Sequence, residues 1–129
     1  MKTKTTVNYN QKSVTTVAIS PVVRQSARKV RLAAAAIRGV KLPNEAISML
    51  EMVLNKAAEE LAKTIKQAVA NAKNNLKLAE ETLRIKTIEV NEGPTMKRVR
   101  FGSRGKIKPI LKRTSRIKVT LLGQMSLKH

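Results

Sequence analysis

The stretch from Gly93 to His129 carries eleven Lys and Arg residues and not one acid. It is written as two extended arms around a turn. Gly93–Phe101 leads in, Gly102-Ser103-Arg104-Gly105 reverses the chain, and Lys106–Arg113 leads out. Such a ribbon has too little apolar material to bury itself, and charged side chains cannot leave water without partners. It must project from a body and lie against a polyanion, of which RNA is the abundant one.

The rest of the chain supplies that body. A length of 129 residues fits one domain with appendages and a modest single core. The net charge of +19 is unevenly spread. All eight acids are Glu, and they fall between Glu45 and Glu92, where seven Lys and Arg nearly balance them. The first 44 residues hold nine basic side chains and no acid. A near-neutral middle between cationic ends is the pattern of a folded body that presents basic surfaces to nucleic acid.

Catalysis has little to work with. Cys and Asp are absent, and the single His is His129. Disulfides, thiolate metal sites and His-based triads are thereby excluded, and neither a metal, a cofactor nor a small-molecule substrate is expected. The adjacent pairs Glu59-Glu60 and Glu80-Glu81 read as solvated helix charges rather than acid/base partners. No apolar run approaches the ~20 residues needed to span a bilayer, so no membrane partner is expected. The acid-free, Thr-rich start faintly resembles an organellar transit peptide, but it has one Arg before residue 28 and is read as an uncleaved extension.

Along the chain, residues 1–13 are polar and aperiodic, and are read as a mobile arm. β-Branched residues from Val14 to Arg24 predict a strand, with Pro21 confining it to an edge or a bulge. Ser26 is placed to cap a helix over Ala27–Arg38 that Gly39 ends. Val30, Ala33, Ala34 and Ile37 share its inner face, while Arg28, Arg31 and Arg38 share another. From Pro43 to Asn74 a stripe of Ile47, Leu50, Leu54, Ala57, Leu61, Ile65, Ala68 and Ala72 is helical. Its alanines are too small for a coiled-coil seam, and Asn55 can cap a second helix, so a break near residues 51–55 is expected. Leu83, Ile85, Ile88 and Val90 read as a strand of imperfect alternation. Ile117, Val119 and Leu121 alternate cleanly, and the two strands are expected to pair antiparallel, leaving a long hairpin between them.

The tip sequence Gly102-Ser103-Arg104-Gly105-Lys106 imitates a phosphate-binding loop, but only two residues separate its glycines. It also imitates the GXXG loop of a KH domain, which joins helices rather than extended arms. Turn chemistry, with the glycines at positive φ, is the simpler reading. Tyr9 and Phe101 are the only aromatics, too few for a base-stacking platform. Phe101 is either a lone wedge against a base or a small apolar contact.

Several separated motifs carry a resemblance. Ser26-Ala27-Arg28-Lys29-Val30-Arg31-Leu32 with Ile37-Arg38-Gly39 resembles the first helix of the bacterial-type large-subunit ribosomal protein twenty-two family. Lys56-Ala57-Ala58 and Ala68–Asn75 are similar to its long helix; Glu92–Arg98 and Lys112-Arg113-Thr114-Ser115 are similar to its hairpin. The likeness runs from about Val17 to Leu122. It implies an α+β fold, with three helices packed on a small antiparallel sheet and one long protruding β-hairpin over about 91–114. The single domain then spans 14–122, with a tail at 123–129.

The family's role implies a non-enzymatic constituent of the large subunit that binds 23S-type rRNA and supports assembly. Its partners would be large-subunit rRNA, neighbouring ribosomal proteins and the nascent polypeptide. Its location would be the cytoplasmic large subunit, an organellar ribosome being the lesser alternative. Candidate rRNA-binding residues are Arg24, Arg28, Lys29, Arg31, Arg38, Lys97, Arg98, Arg100, Arg104, Lys106, Lys108, Lys112, Arg113, Arg116 and Lys118. Candidates for the exit-tunnel wall are Met96, Lys97, Arg98, Phe101, Gly102, Ser103, Arg104 and Gly105, of which Met96–Arg98 match the stretch where macrolide sensitivity can be altered. The chain departs from the family at Gly102 and Lys106, usually Arg, at Phe101, often Pro, and at Arg116, commonly His. The alternative is a basic RNA- or DNA-binding module outside the ribosome.

Overall fold

The computed structural model describes residues 11–126. In chain order the elements are β1 (Gln11–Ile19), α1 (Ala27–Ala36), α2 (Pro43–Met52), α3 (Lys56–Asn74), β2 (Arg84–Glu92), β3 (Met96–Phe101), β4 (Ile107–Lys112) and β5 (Ser115–Ser126). This is the expected α+β fold. An antiparallel sheet of order β1-β5-β2 carries the helices on one face, and β3-β4 forms a separate two-stranded sheet.

The central strand organises the core. Ile117, Val119 and Leu121 are fully buried on the helical side of β5. They meet Leu61 and Ile65 of α3, Val30 of α1 and Leu50 of α2 in one cluster. Ala57, Ala58, Ala62, Ala68 and Ala72 are also buried, so α3 can lie close to its neighbours. Val30, Ala33 and Ile37 are buried as their spacing requires, and Ala34 is half-buried beside them.

Caps set the helix limits. The Ser26 hydroxyl accepts from the Lys29 N–H at the start of α1, and Pro43 opens α2. Between α2 and α3 the chain breaks as expected. Val53 and Asn55 are extended, and Asn55 Oδ1 accepts from Ala57 N–H at 3.1 Å. Leu54 falls in that break and is fully exposed, which removes it from the apolar stripe.

Strand limits differ from the sequence reading for identifiable reasons. β1 starts at Gln11, so residues 11–13 belong to the strand, while residues 1–10 of the expected arm lie outside the described residues. β1 ends at Ile19 rather than Arg24, because Pro21 has no N–H to offer β5. The chain touches the sheet again where Val23 and Ser115 exchange backbone bonds of 2.8 and 3.0 Å. β2 carries a bulge between Ile85 and Thr87. One extra residue there lets Ile85, Ile88 and Val90 all pack toward the core, which explains the faulty alternation. β5 runs on to Ser126, taking four residues of the expected tail into its ladder with β1; residues 127–129 lie outside the described residues.

Candidate nucleic-acid interface

The β3–β4 finger leaves the body through a locked root. Glu92 and Ser115 are the last paired residues of the main sheet, and Met96 and Lys112 the first of the finger. Between them the Gly93 N–H donates to the Thr114 carbonyl at 2.9 Å, and the Thr114 hydroxyl donates to the Pro94 carbonyl. The hairpin expected over 91–114 is thus present, with its own ladder running from Met96–Lys112 to Phe101–Ile107 and set off from the main sheet by this root. A Cβ at Gly93 would lie 2.6 Å from Thr114 Oγ1, which is buried and cannot swing aside. Gly93→Val is expected to destabilise the chain by about 1–3 kcal/mol, the usual range for overpacking, and to free the finger from the body. Urea unfolding and amide exchange of Met96 and Lys112 check this; unchanged exchange there would mean that the root is not a lock.

Within the finger, pairing of Lys97 with Leu111, Val99 with Pro109 and Phe101 with Ile107 puts these six on one face. The other face holds Met96, Arg98, Arg100, Lys108, Ile110 and Lys112. One side is thus mainly apolar and the other mainly cationic, and both are open. Val99 is 64% exposed, Phe101 80% and Ile107 62%. At ~3.3 Å per residue each strand extends about 20 Å. Phe101 has apolar neighbours across the ladder, but it is not buried by them.

The tip corrects one expectation. Positive φ falls on Arg104 (+58°) and Gly105 (+68°), whereas Gly102 has φ −98°. Gly102 relieves crowding instead: a Cβ there would sit 3.0 Å from Lys108 Cε and 3.2 Å from the Lys106 carbonyl, to which its own N–H donates, so a neighbour would have to shift by a few tenths of an ångström.

The candidate cations do not form one patch. Arg98, Arg100, Arg104, Lys106, Lys108 and Lys112 are exposed along the finger. Arg28, Lys29, Arg31 and Arg113 line a cleft between α1 and the finger root. Arg31 already has a structural task, since its Nη2 and Nε donate to the Val90 carbonyl at 3.0 and 3.3 Å, tying α1 to β2. Arg38 lies beside Lys41 and Lys86 in a shallow depression. Those two lysines escaped the sequence reading, because nothing in the pattern relates positions so far apart. Arg24 lies apart, near Lys56 and Lys63. Arg116 is exposed, while Lys118 is half-buried on the open sheet face between Ile19 and Glu89.

Four of the eight acids are engaged elsewhere. Among the described residues, ion pairs join Lys63 to Glu59 and Glu60, Lys66 to Glu51, and Lys73 to Glu80. The hydrogen bond with Glu59, then that with Glu60, raises the Lys63 ammonium above its ordinary range. None of these pairs reaches the finger or α1. Among the described residues no His, Cys, Asp and Glu group could hold a metal, and no helix is long and apolar enough to cross a membrane.

Fold and surface together define a small basic α+β protein with an exposed two-stranded finger. Residues 18–122 match the model of the family described as Ribosomal protein L22p/L17e, and the chain belongs to that family. It is accordingly a structural protein of the large ribosomal subunit, and the family is not an enzymatic one.

Proposed function

We propose that this chain binds large-subunit rRNA through α1, the finger root and the cationic finger face, supports subunit assembly, and lines the nascent-peptide exit tunnel with Met96–Arg98 and Phe101–Gly105. The observation that carries the reading is the open cationic face of Arg98, Arg100, Lys108 and Lys112, which has no carboxylate opposite it. Phosphates supply the missing counter-charge, and each guanidinium offers them bidentate bonds. The opposite face, where Val99, Phe101 and Ile107 leave Lys97 as the one cation, offers phosphate far less and would turn toward the passage and its nascent polypeptide. The ion-paired middle, near neutral, is left for neighbouring ribosomal proteins. The functional unit is the 14–122 body with its finger, working in the cytoplasmic large subunit.

Two linked measurements test this. The full chain should co-migrate with the large subunit through a high-salt wash, and Lys97–Lys112 should crosslink to rRNA and nascent chain. Deleting Met96–Arg98 should leave the unfolding midpoint of the body unchanged, since the finger adds nothing to the core, while altering the response to macrolides. A deletion that melts the helices, or a chain that washes off freely, would rule the reading out.

A further inference from the structure

We propose that the cleft between α1 and the finger root holds a single unstacked nucleotide of the rRNA, with its base against Leu32 and Ala35 and its phosphates on Arg28 and Arg113. The inference rests on the rRNA-binding reading and specifies which form of RNA this part of the surface takes. The cleft measures about 910 Å³, within the ~300–1,000 Å³ of pockets that enclose small ligands.

Its floor and rim differ in chemistry. Ala27, Leu32 and Ala35 form an apolar floor, and Leu32 is 71% exposed. Leu32 is out of phase with Val30, Ala33 and Ile37, so it has no role in the core. The rim carries Arg28, Lys29 and Arg113 against the one carboxylate of Glu92. A duplex would place phosphates and 2′-hydroxyls on that rim and leave the floor empty. A nucleotide from a bulge or loop satisfies both, because an unpaired base brings an apolar face together with its phosphate. The missing aromatic platform is no obstacle here, since a base face can also be buried against aliphatic carbon. An apolar side chain of a neighbouring protein could use the floor, but would leave three rim cations facing a single carboxylate.

The walls are already fixed. Arg31 ties α1 to β2 through the Val90 carbonyl, and the Gly93–Thr114 and Thr114–Pro94 bonds hold the opposite wall. Binding then carries little ordering cost, which favours selective recognition over loose electrostatic attraction.

The test uses the full-length chain, a large-subunit rRNA transcript as probe, and two variants at exposed positions that keep every charge. Leu32→Ser removes the floor, and Ala35→Phe fills the cleft. Each should weaken binding by about 10-fold or more, the scale of losing the burial of one leucine side chain, at every salt concentration and with the slope of log K against log [salt] unchanged. Base-selective chemical probing should show one nucleotide that the wild type protects and both variants expose. Unchanged affinity and protection in both variants would overturn the cleft assignment alone, and would point to a protein side chain or to nothing at all in the cleft. Failure of the wild type to bind the transcript would overturn the rRNA-binding reading itself, and this inference with it.

Discussion

Raising salt from 50 to 200 mM should weaken rRNA binding by ~10³- to 10⁵-fold, the loss expected when six to ten phosphates are neutralised. The cations available are those of the finger, α1 and the root, and none of them is drawn into the ion pairs of the body. Each neutralised phosphate releases condensed counterions, so the slope reports the phosphates engaged rather than the total charge. Replacing Arg98, Arg100, Lys108 and Lys112 with Gln should therefore flatten the slope by about 0.9 for every phosphate left without its cation. These side chains are all exposed, so the replacements should not unfold the body. Replacing Arg31 should behave differently. Its guanidinium is bonded to Val90, so the variant should lose stability as well as affinity. A salt response that stays flat across this range would leave the finger's charges without a purpose and sink the electrostatic account.

The helices were legible because each limit is local chemistry. Ser26 and Asn55 sit where an extended residue precedes an apolar helical pattern, and both side chains accept from the first turn. The break at 53–55 was visible for a steric reason: an alanine-rich stripe cannot fill a coiled-coil seam, so it had to fold back onto something flat. The strands were less legible at their ends. A polar edge strand such as Gln11–Ser13 has no hydrophobic signature of its own, and it exists because β5 is long enough to pair with it. The bulge left a trace in the sequence, the spacing of Ile85, Ile88 and Val90, but the trace identifies a fault in alternation without saying which way the chain bends.

Site residues were legible as composition and not as arrangement. The acid-free run announced a projecting ribbon, yet the division into an apolar and a cationic face depends on the register of Phe101 with Ile107. A shift of one residue would mix the two sets. A helical wheel likewise groups Arg28 with Arg31, but only the packing of α1 on β2 commits one of them to a carbonyl. The same packing leaves its neighbour facing the cleft. Two glycines at the tip looked equivalent in sequence and have different duties, one conformational and one steric.

Leu61→Ala should cost about 2–5 kcal/mol, the range for a buried leucine truncated in a packed core, and that is a large share of the roughly 5–15 kcal/mol that holds a typical domain together. The expectation follows from how little bulk this core contains. Much of α3's inner face is alanine, and Leu50, Leu61, Ile65, Leu83, Ile117 and Leu121 are among the largest fully buried side chains. The neighbours of Leu61 are strands and helices already packed closely, which limits collapse into the space it leaves. A chain of net charge +19 also repels itself in the compact state, and that repulsion leaves little margin. Urea unfolding should show the loss as a lower midpoint, while Leu32→Ala, at an exposed position, should barely move it. Added rRNA should restore much of the stability, because a ligand that binds only the folded form contributes about 2.7 kcal/mol at one hundred times its Kd. A loss below about 1 kcal/mol would place Leu61 outside the set of side chains that hold α3 to the sheet. Rescue that is absent even with RNA in excess would separate folding of the body from nucleic-acid binding, and would count against the rRNA-binding assignment at the same time.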